Sequence, residues 1–395
     1  MSRRLRPRIA VVGGAGAMGR ITVRDLAETA RDAEIVVVDR DAKAARRLAR
    51  AMPRPVRVIE ADASDPAGLA RALAGTNVLV NACHHDFNLR VMDAALELGA
   101  HYADLGGLFH VTKQQLKRDA EFRAAGLLAL CGMGSAPGIV NVMARSAADR
   151  MDRVQEIHVA VGTSDRTRRE GESLLDTSYS ILTVLDEASR PAALFTGGKL
   201  TFVEALSRPV RVEFPKPVGT MEPACTLHSE VATLPESFRA KGVREVSFRI
   251  AFPGGLMERL RFVHALGLTS TTPVPIGSSE FVPRHLLLAL LADAPKAKTV
   301  GPRDEYEVLR VTVRGRQAGR PVTEVVDCHV PGMPAWDVGV DIDTGAPPSI
   351  AAQMIASGAI TARGVVAPER AMPPAPFFDE LARRGMRITR RLHRK

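Results

Sequence analysis

A strand, a glycine-rich turn, a helix and a second strand follow one another between residues 8 and 39, and this unit constrains the fold most. Gly14, Gly16 and Gly19 form G-x-G-x-x-G directly after the apolar run Ile9–Val12. The first glycine permits a tight turn, the second lets backbone approach a pyrophosphate, and the third lets the helix pack closely on the strand. The unit therefore predicts a βαβ fold with a dinucleotide phosphate site at the helix N-terminus.

The end of the second strand bears on which dinucleotide is bound. Asp39 lies twenty positions after Gly19, where a carboxylate can accept hydrogen bonds from an adenosine ribose. Asp39 would repel a 2′-phosphate, whereas Arg40 beside it could pair with one. The residues favour NAD, with NADP as the alternative.

Length and cysteine usage indicate a cytoplasmic protein of more than one domain. The 395 residues allow two domains with a large core. No run approaches the roughly 20 apolar residues of a membrane helix, and the first strand starts too early for a signal peptide. The four cysteines, Cys83, Cys131, Cys225 and Cys328, contain no C-x-x-C pair. This spacing favours reduced thiols and predicts no metal site.

The formal net charge of +10 does not indicate a nucleic-acid partner. Part of the excess lies in the tail 383–395, where seven of thirteen residues are Arg or Lys. Aromatic residues make up only 4% of the chain, so no stacking platform for single strands is expected. A basic protein can still attract anionic cofactors and carboxylate substrates.

Alternating strand and helix patterns continue to about residue 133. They predict strands Val56–Glu60, Val78–Ala82, His101–Leu105 and Leu127–Cys131, and helices from Pro66, over Asn88–Leu98 and over Val111–Ala125. We therefore expect an α/β fold with a Rossmann-type doubly wound parallel sheet. This dinucleotide-binding domain is assigned to residues 1–133.

The pattern changes after the turn Gly132–Gly138. A helix Ile139–Met151 precedes alternating strands, with a hairpin in the region of 306–330. Residues 134–344 are therefore predicted to form an inserted α+β domain for substrate and dimer contacts, built on an antiparallel or mixed sheet. Two further helices, Ile350–Ser357 and Phe377–Arg384, are expected to return to the first domain within residues 345–395.

Three turns at the carboxyl ends of strands are expected to meet at the ligand crevice of such a sheet. They are Asn81–Asp86, Tyr102–Gly107 and Gly132–Gly138, the last leading to Asn141. Side chains on these turns would surround the reacting end of a dinucleotide and could move protons there.

His84 and His85 are the main acid–base candidates, because an ordinary histidine titrates near neutral pH. The structural alternative is that one of them caps the helix at Asn88. Asp104 is the third catalytic candidate, as an acid partner or an anchor for a substrate ammonium, and otherwise a turn-capping residue.

Four further residues are candidates for substrate binding, namely Tyr102, Asn141, Tyr179 and His228. For each tyrosine a half-buried structural role is the alternative, and His228 with Glu230 could reach the cleft from the second domain. Cys83 adjoins the expected nicotinamide position but has no evident base nearby, so packing is the simpler interpretation.

Several longer segments resemble a known family. They are VVGGAGAMGR, NACHHDFNLRVMDAALELGAHYADLGGL, CGMGSAPGIVNVMA, YSILTVLDEASRPAALFTGGKL, FPKPVGTMEP, EVATLPE and TGAPPSIAAQMIASGAITARGVVAPE. Through them the chain resembles the saccharopine dehydrogenase family over nearly its whole length, and most closely its lysine 6-dehydrogenase branch.

The resemblance implies a cytoplasmic homodimer that oxidises a C–N bond with NAD(P). It implies contacts with four parts of the cofactor. The pyrophosphate would lie at Gly14, Gly16, Ala17, Met18 and Gly19, the ribose at Asp39, and the other two parts at Asp62, Ala63, Ala82 and Cys83. Asp62 and Ala63 would lie near adenine, and Ala82 and Cys83 near the nicotinamide half. The chain departs from the family at His84-His85, where relatives commonly have Pro-Tyr, and the departure puts the usual substrate in doubt.

The leading hypothesis is an NAD(P)-dependent oxidoreductase that acts on a C–N bond of an amino acid or amine through an imine. L-Lysine is the first substrate considered, and reduction of an imine formed from an aldehyde and an amine is the next. The alternatives are a non-catalytic redox sensor, which would need no ionisable groups at the nicotinamide, and a scaffold whose second domain mediates assembly.

Overall fold

Two β-sheets flank a deep cleft in the computed structural model, which describes residues 6–394 except 172, 176 and 178. The first sheet begins with six strands, β1 (Arg8–Val12), β2 (Glu34–Asp39), β3 (Arg57–Glu60), β4 (Val78–Asn81), β5 (His101–Asp104) and β6 (Leu128–Leu130). Seven helices accompany them: α1 (Gly19–Thr29), α2 (Ala42–Arg50), α3 (Pro66–Ala72), α4 (Asn88–Leu98), α5 (Leu108–Leu116), α6 (Asp119–Ala124) and α7 (Ile139–Ala148).

The first sheet is parallel throughout, and its strand order reverses at β1. Both β2 and β4 pair with β1, so β2 and β3 continue on one side and β4, β5 and β6 on the other. Buried aliphatic side chains cover both faces, as expected for a sheet enclosed by helices. The predicted doubly wound fold is confirmed.

The second sheet is mixed. The strands of this region are β7 (Arg153–Asp165), β8 (Arg169–Glu170), β9 (Ala192–Thr196), β10 (Lys199–Val203), β11 (Val212–Glu213), β12 (Thr220–Met221), β13 (Ala224–Cys225), β14 (Glu245–Ala251), β15 (Val274–Ile276), β16 (Ser279–Phe281), β17 (Lys298–Thr299), β18 (Glu305–Gln317) and β19 (Arg320–Val330). Its helices are α8 (Ile181–Ser189), α9 (Glu230–Ser237), α10 (Leu256–Ala265) and α11 (Pro283–Asp293). Strands β14 and β7 pair in parallel, whereas β18 is antiparallel to both β7 and β19.

The C-terminal region contributes to both sheets. It contains α12 (Ile342–Ala356), β20 (Gly364–Val366), α13 (Pro368–Ala371), α14 (Pro374–Arg383) and β21 (Arg387–Arg394). Strand β20 adds to β6 of the first sheet, α12 packs on α1, and β21 pairs with β19 of the second sheet. The domain limits at residues 133 and 344 remain predictions.

Three predicted elements differ from the structure. The helix expected over 111–125 is two helices, because Arg118 between them is held against α4 by Asp93 (2.7 Å) and the Leu89 carbonyl (3.2 Å). The helix expected from Ile350 begins at Ile342, with Pro347 and Pro348 inside it. The arginine-rich end of the chain forms a strand that the charge pattern did not predict.

A buried ion pair joins the C-terminal region to the first domain. Arg384 donates through Nε and Nη2 to the two carboxylate oxygens of Asp25 on α1, at 2.6 and 2.7 Å. The hydroxyl of Ser349 on α12 donates to the same carboxylate at 2.5 Å. Asp25 therefore fastens α12 and the segment after α14 to the first helix of the chain.

In the described part of the chain we find no helix whose length and apolar content would let it span a bilayer.

Candidate active site

The glycine-rich turn has the close packing that a dinucleotide cradle requires. A Cβ on Gly19 would lie 2.1 Å from the Gly13 carbonyl oxygen, so α1 can begin against β1 only with glycine there. Asp39 accepts a hydrogen bond from the Ala15 amide at 3.1 Å, which places its carboxylate at the glycine-rich turn. The residues present therefore fit a bound dinucleotide.

The other expected cofactor residues lie at the same edge of the sheet. Ala17, Met18, Ala82 and Cys83 line the cleft, together with Arg20, which the motif analysis overlooked. Arg40 and Asp62 are exposed, and Ala63 is buried. Burial, together with the Asp39 carboxylate, raises the pKa of Cys83 to about 12, so this thiol is protonated at neutral pH.

The cleft has a volume of about 1090 Å³ and is lined from both sheets. The first domain contributes the turns after β4, β5 and β6, and the second contributes α8, β7, β14 and β18. A volume of this size accommodates a nicotinamide and a small substrate together.

His84 and His85 enter the cleft directly after β4. His84 Nδ1 lies 3.2 Å from an Asp86 carboxylate oxygen, which leaves Nε2 buried without a hydrogen-bond partner among the described residues. Burial, with the neighbouring His85, lowers the pKa of His84. The ring is therefore neutral at pH 7 and able to accept a proton.

His85 contacts an acid from the second domain. Its Nε2 lies 3.5 Å from Oδ2 of Asp186 on α8, and Oδ1 of Asp186 is held by Arg284 at 2.5 Å and Arg190 at 3.1 Å. Burial alone would raise the pKa of Asp186, but hydrogen bonds from His85 and Arg284 outweigh it and lower the value.

The donor atoms of His84, His85 and Asp186 lie within 4.8 Å of one another, which is close enough to consider a metal ion. Arg284 and Arg190 already neutralise Asp186 from its other side and would repel a cation. We therefore interpret the group as an ion-paired histidine site, and the expected absence of a metal remains a prediction.

His228 lines the cleft from the second domain. Its ring stacks on Phe248 with centroids 3.6 Å apart and lies between the carboxylates of Glu187 (3.4 Å) and Glu230 (3.2 Å). Burial opposes protonation, yet the two carboxylates raise the pKa of His228 to about 10. The hydroxyl of Tyr179 donates to Glu187 at 3.0 Å, so the predicted Tyr179 and His228 share one acid.

Asp104 and Tyr102 are not among the residues that line the cleft, and their contacts fit the structural alternatives, a turn-capping Asp and a structural Tyr. Both are completely buried, and Asp104 accepts hydrogen bonds from Gly106 N (2.9 Å), Gly132 N (2.7 Å), Tyr102 OH (2.9 Å) and Gln115 Nε2 (2.5 Å). Burial raises the pKa of Asp104 against these hydrogen bonds. The carboxyl joins the ends of β5 and β6, and its oxygens have no side open to a substrate.

Asn141 is also structural. It accepts from the Gly138 amide at 3.0 Å at the start of α7 and donates to Glu369 of α13 at 2.8 Å. The side chain is completely buried. These contacts hold the turn before α7, and Asn141 is not among the residues that line the cleft.

Six acids that line the cleft were not predicted. They are Asp165 on β7, Glu187 on α8, Glu305 and Glu307 on β18, Asp341 before α12 and Asp343 in its first turn. A local signal existed, because both strand glutamates occupy the same buried phase of the strand as Leu309 and Val311. A carboxylate in the core-facing phase needs a partner or a ligand.

Comparisons with known proteins agree with this architecture. The model of the saccharopine dehydrogenase NADP binding domain matches residues 9–130, and that of the saccharopine dehydrogenase C-terminal domain matches residues 134–386. Carboxyaminopropylagmatine dehydrogenase of Synechocystis sp. is 22% identical over 95% of this chain and 96% of its own. Carboxynorspermidine synthase of Vibrio cholerae is 23% identical over 78% of this chain and 76% of its own.

Two solved structures share the fold. Apo saccharopine dehydrogenase (L-Glu forming) from Saccharomyces cerevisiae superposes with a TM-score of 0.74 at 16% identity, over 98% of this chain and 100% of that one. Homospermidine synthase from Legionella pneumophila, solved in complex with NAD, gives a TM-score of 0.61 at 12% identity, over 99% and 92%.

Proposed function

The chain belongs to the saccharopine dehydrogenase family, and from this membership we propose how its cleft carries out chemistry at a carbon–nitrogen bond. The family assignment agrees with the resemblance in the sequence. The protein is an NAD(P)-dependent oxidoreductase that acts on an amino acid or amine. The proposal concerns the residues that do this.

The first domain would hold the cofactor. Amides of the turn Gly14–Gly19 and the N-terminus of α1 would bind the pyrophosphate, and Asp39 would bind the ribose. Asp39 favours NAD, although Arg40 beside it could support NADP. When bound, NAD(P) supplies the nicotinamide carbon that accepts or donates hydride.

The pair His84 and His85 carries the proposal. His84 Nε2 is buried at the cleft with no partner among the described residues, and its imidazole is neutral at pH 7. In the oxidation, His84 would take the proton from the substrate ammonium, and hydride would leave the carbon bearing that nitrogen. Water would then hydrolyse the imine. Asp186 would hold His85 beside it.

A non-catalytic sensor is the alternative function, and the cleft supports it less well. A sensor needs no titratable groups beside the nicotinamide, whereas this cleft contains three histidines and several acids. A scaffold is supported even less, since it would need no such enclosed polar cleft.

We also propose a cytoplasmic homodimer. All four cysteines are unpaired, which suits a reducing compartment. Large apolar side chains are exposed on α10 and α11, including Phe262 at 64% and Leu290 at 60%, and burial against a second copy would remove them from water. The oligomeric state can be measured by analytical ultracentrifugation.

Absorbance at 340 nm tests the function, with NAD or NADP offered against lysine, saccharopine, ornithine and related amines. We expect reduced cofactor to form with one amine, and His84→Ala to lower turnover about 100-fold while NADH still binds. His85→Ala is expected to reduce turnover as well, and His393→Ala, an exposed histidine on β21, serves as control. Full turnover in both cleft variants would remove the histidines from the mechanism, and tight NADH binding without turnover would favour the sensor.

A further inference from the structure

Arg284 is a buried cation at an unusual place in its helix. It lies in the first turn of α11, where the helix dipole disfavours a positive charge, and its side chain is only 10% exposed. Burying a guanidinium is costly unless it is paired and hydrogen-bonded. The tertiary structure must therefore supply the partners that this position needs.

Three contacts fix the guanidinium in one orientation. Nη1 donates to Oδ1 of Asp186 at 2.5 Å, Nε donates to the Thr269 carbonyl at 2.8 Å, and Nη2 donates to the Ser189 hydroxyl at 3.3 Å. Nδ1 of His264 on α10 lies 2.8 Å from the hydroxyl of the same Thr269. Arg284 therefore connects α11 to α8 and to the segment after α10, and it fixes the direction of the Asp186 carboxylate.

The carboxylate held in this way reaches across to the first domain. Its second oxygen, Oδ2, lies 3.5 Å from Nε2 of His85, which follows β4 of the first sheet. The His85 ring in turn packs on His84, with ring centroids 3.9 Å apart. A continuous series of contacts thus runs from α11 through Asp186 and His85 to His84, the base of the proposed reaction.

We propose that Arg284 is a positioning residue of the reaction, which orients Asp186 so that the histidine pair is held against the substrate. The inference rests on the proposed function, because it concerns the base which that function requires. Arg284 does not line the cleft itself. It would therefore act on the substrate only through Asp186 and the two histidines.

The charges around Asp186 determine what the loss of Arg284 would do. The groups that face the carboxylate and the histidines are Arg190 on α8, Arg284 on α11, and His84, His85 and Asp86 after β4. Burial and the neighbouring His85 lower the pKa of His84, and the carboxylates of Asp86 and Asp186 oppose this effect. Without the Arg284 cation the charge of Asp186 would be less neutralised, so the pKa of His84 would rise. Without the Asp186 charge, the pKa of His84 would fall.

An NMR titration of the histidines in the whole chain tests this without any substrate, with the His84 signal assigned from the spectrum of His84→Ala. We expect Arg284→Met to move the midpoint of the His84 titration to higher pH by at least about 0.5 pH unit, and Asp186→Asn to move it to lower pH by a similar amount. A merely structural role of Arg284 would not give shifts of opposite sign. Arg383→Met, the same substitution at an exposed position of α14, is the matched control.

Turnover of lysine, saccharopine or ornithine, whichever reduces the cofactor, gives a second measurement. A base acts only when it is neutral, so kcat/KM of Arg284→Met should begin to fall at a higher pH than that of wild type. Arg284→Lys keeps the cation but loses the planar fork that spans three acceptors. We therefore expect this variant to keep the wild-type titration midpoint while its kcat falls about tenfold.

Unchanged His84 midpoints in both Arg284→Met and Asp186→Asn would overturn the inference, as would wild-type kcat in Arg284→Lys. Thermal midpoints and NADH binding show whether each variant is folded, and Asp186→Asn keeps nearly the wild-type shape if Arg284→Met does not fold. The two proposals fail in different ways. Shifted midpoints in a protein that oxidises no amine would refute the reaction, whereas unshifted midpoints in an active enzyme would refute the role of Arg284 alone.

Discussion

His228 lies between two carboxylates that favour its protonated form. Its imidazole stacks on Phe248, and although burial opposes protonation, the neighbouring Glu230 and Glu187 raise its pKa to about 10. Because the folded pKa exceeds the ordinary value near 6.5, this stabilisation is complete below about pH 6.5 and is lost as the pH rises through about 10.

His228→Asn should therefore destabilise the protein most at low pH. We expect the difference in unfolding free energy between wild type and variant to shrink by more than about 1.4 kcal/mol, the energy of one pKa unit, between pH 6.5 and 9.5. Urea titrations at several pH values measure it. His393→Asn, which replaces an exposed histidine on β21, is the matched control. A pH-independent difference for His228→Asn would mean that the imidazolium is not the favoured form.

At the scale of single residues, the sequence predicted part of the lining of the cleft. His84 and His85 could be identified because they directly follow a strand whose carboxyl end faces the crevice. Glu187, Glu307 and Asp343 come from three distant segments, and only the tertiary fold brings them together. The sequence left two roles open for Asp104, catalysis and turn capping, because strand position alone does not tell which side of the sheet edge a carboxyl faces.

Asp104 shows how a buried polar residue can connect secondary-structure elements instead of taking part in a reaction. Its carboxyl accepts four hydrogen bonds that join β5, β6 and α5. Asp104→Ala would leave buried donors unsatisfied, and we expect a loss of about 2–4 kcal/mol in unfolding free energy. Denaturant titration measures this loss. Unchanged stability combined with abolished turnover would instead support the catalytic role first assigned to Asp104.

The elements of the first domain could be predicted because their signals are local. A helix such as α4 ends at Gly99, whose φ of 66° favours glycine, and this end was read correctly. The start of α12 was predicted wrongly. Pro347 and Pro348 are typical of a helix start, yet they lie in the interior of α12. Strand β21 was not predicted because half of its residues are arginine and most are exposed, so it lacks the apolar alternation of a buried strand. It pairs with β19.

The whole molecule depends on the connection between its C-terminal region and α1. Arg384 and Asp25 are almost completely buried and form a bidentate ion pair. Arg384→Met would leave the Asp25 charge unpaired in the interior, and we expect a loss of about 3–5 kcal/mol.

The neighbouring Arg383 provides a matched control. Its side chain is 72% exposed and pairs with Glu380 at the surface, so Arg383→Met should cost less than about 1 kcal/mol. Thermal and urea unfolding of the two variants compare the same chemical change in two environments. Equal stabilities would show that the buried pair does not hold the C-terminal region in place.

Helix α12 lines the cleft at its first turn and also contacts the helix that follows the dinucleotide turn. Its first turn carries Asp343, which lines the cleft. Two residues later, the Gly345 carbonyl accepts a hydrogen bond from Thr22 of α1 at 2.7 Å, and α1 directly follows the dinucleotide turn. A bound dinucleotide and a bound amine would therefore both affect the position of α12. By thermodynamic reciprocity, whatever factor the dinucleotide adds to amine affinity the amine must add to dinucleotide affinity, so one helix would couple the two binding equilibria without fixing their order.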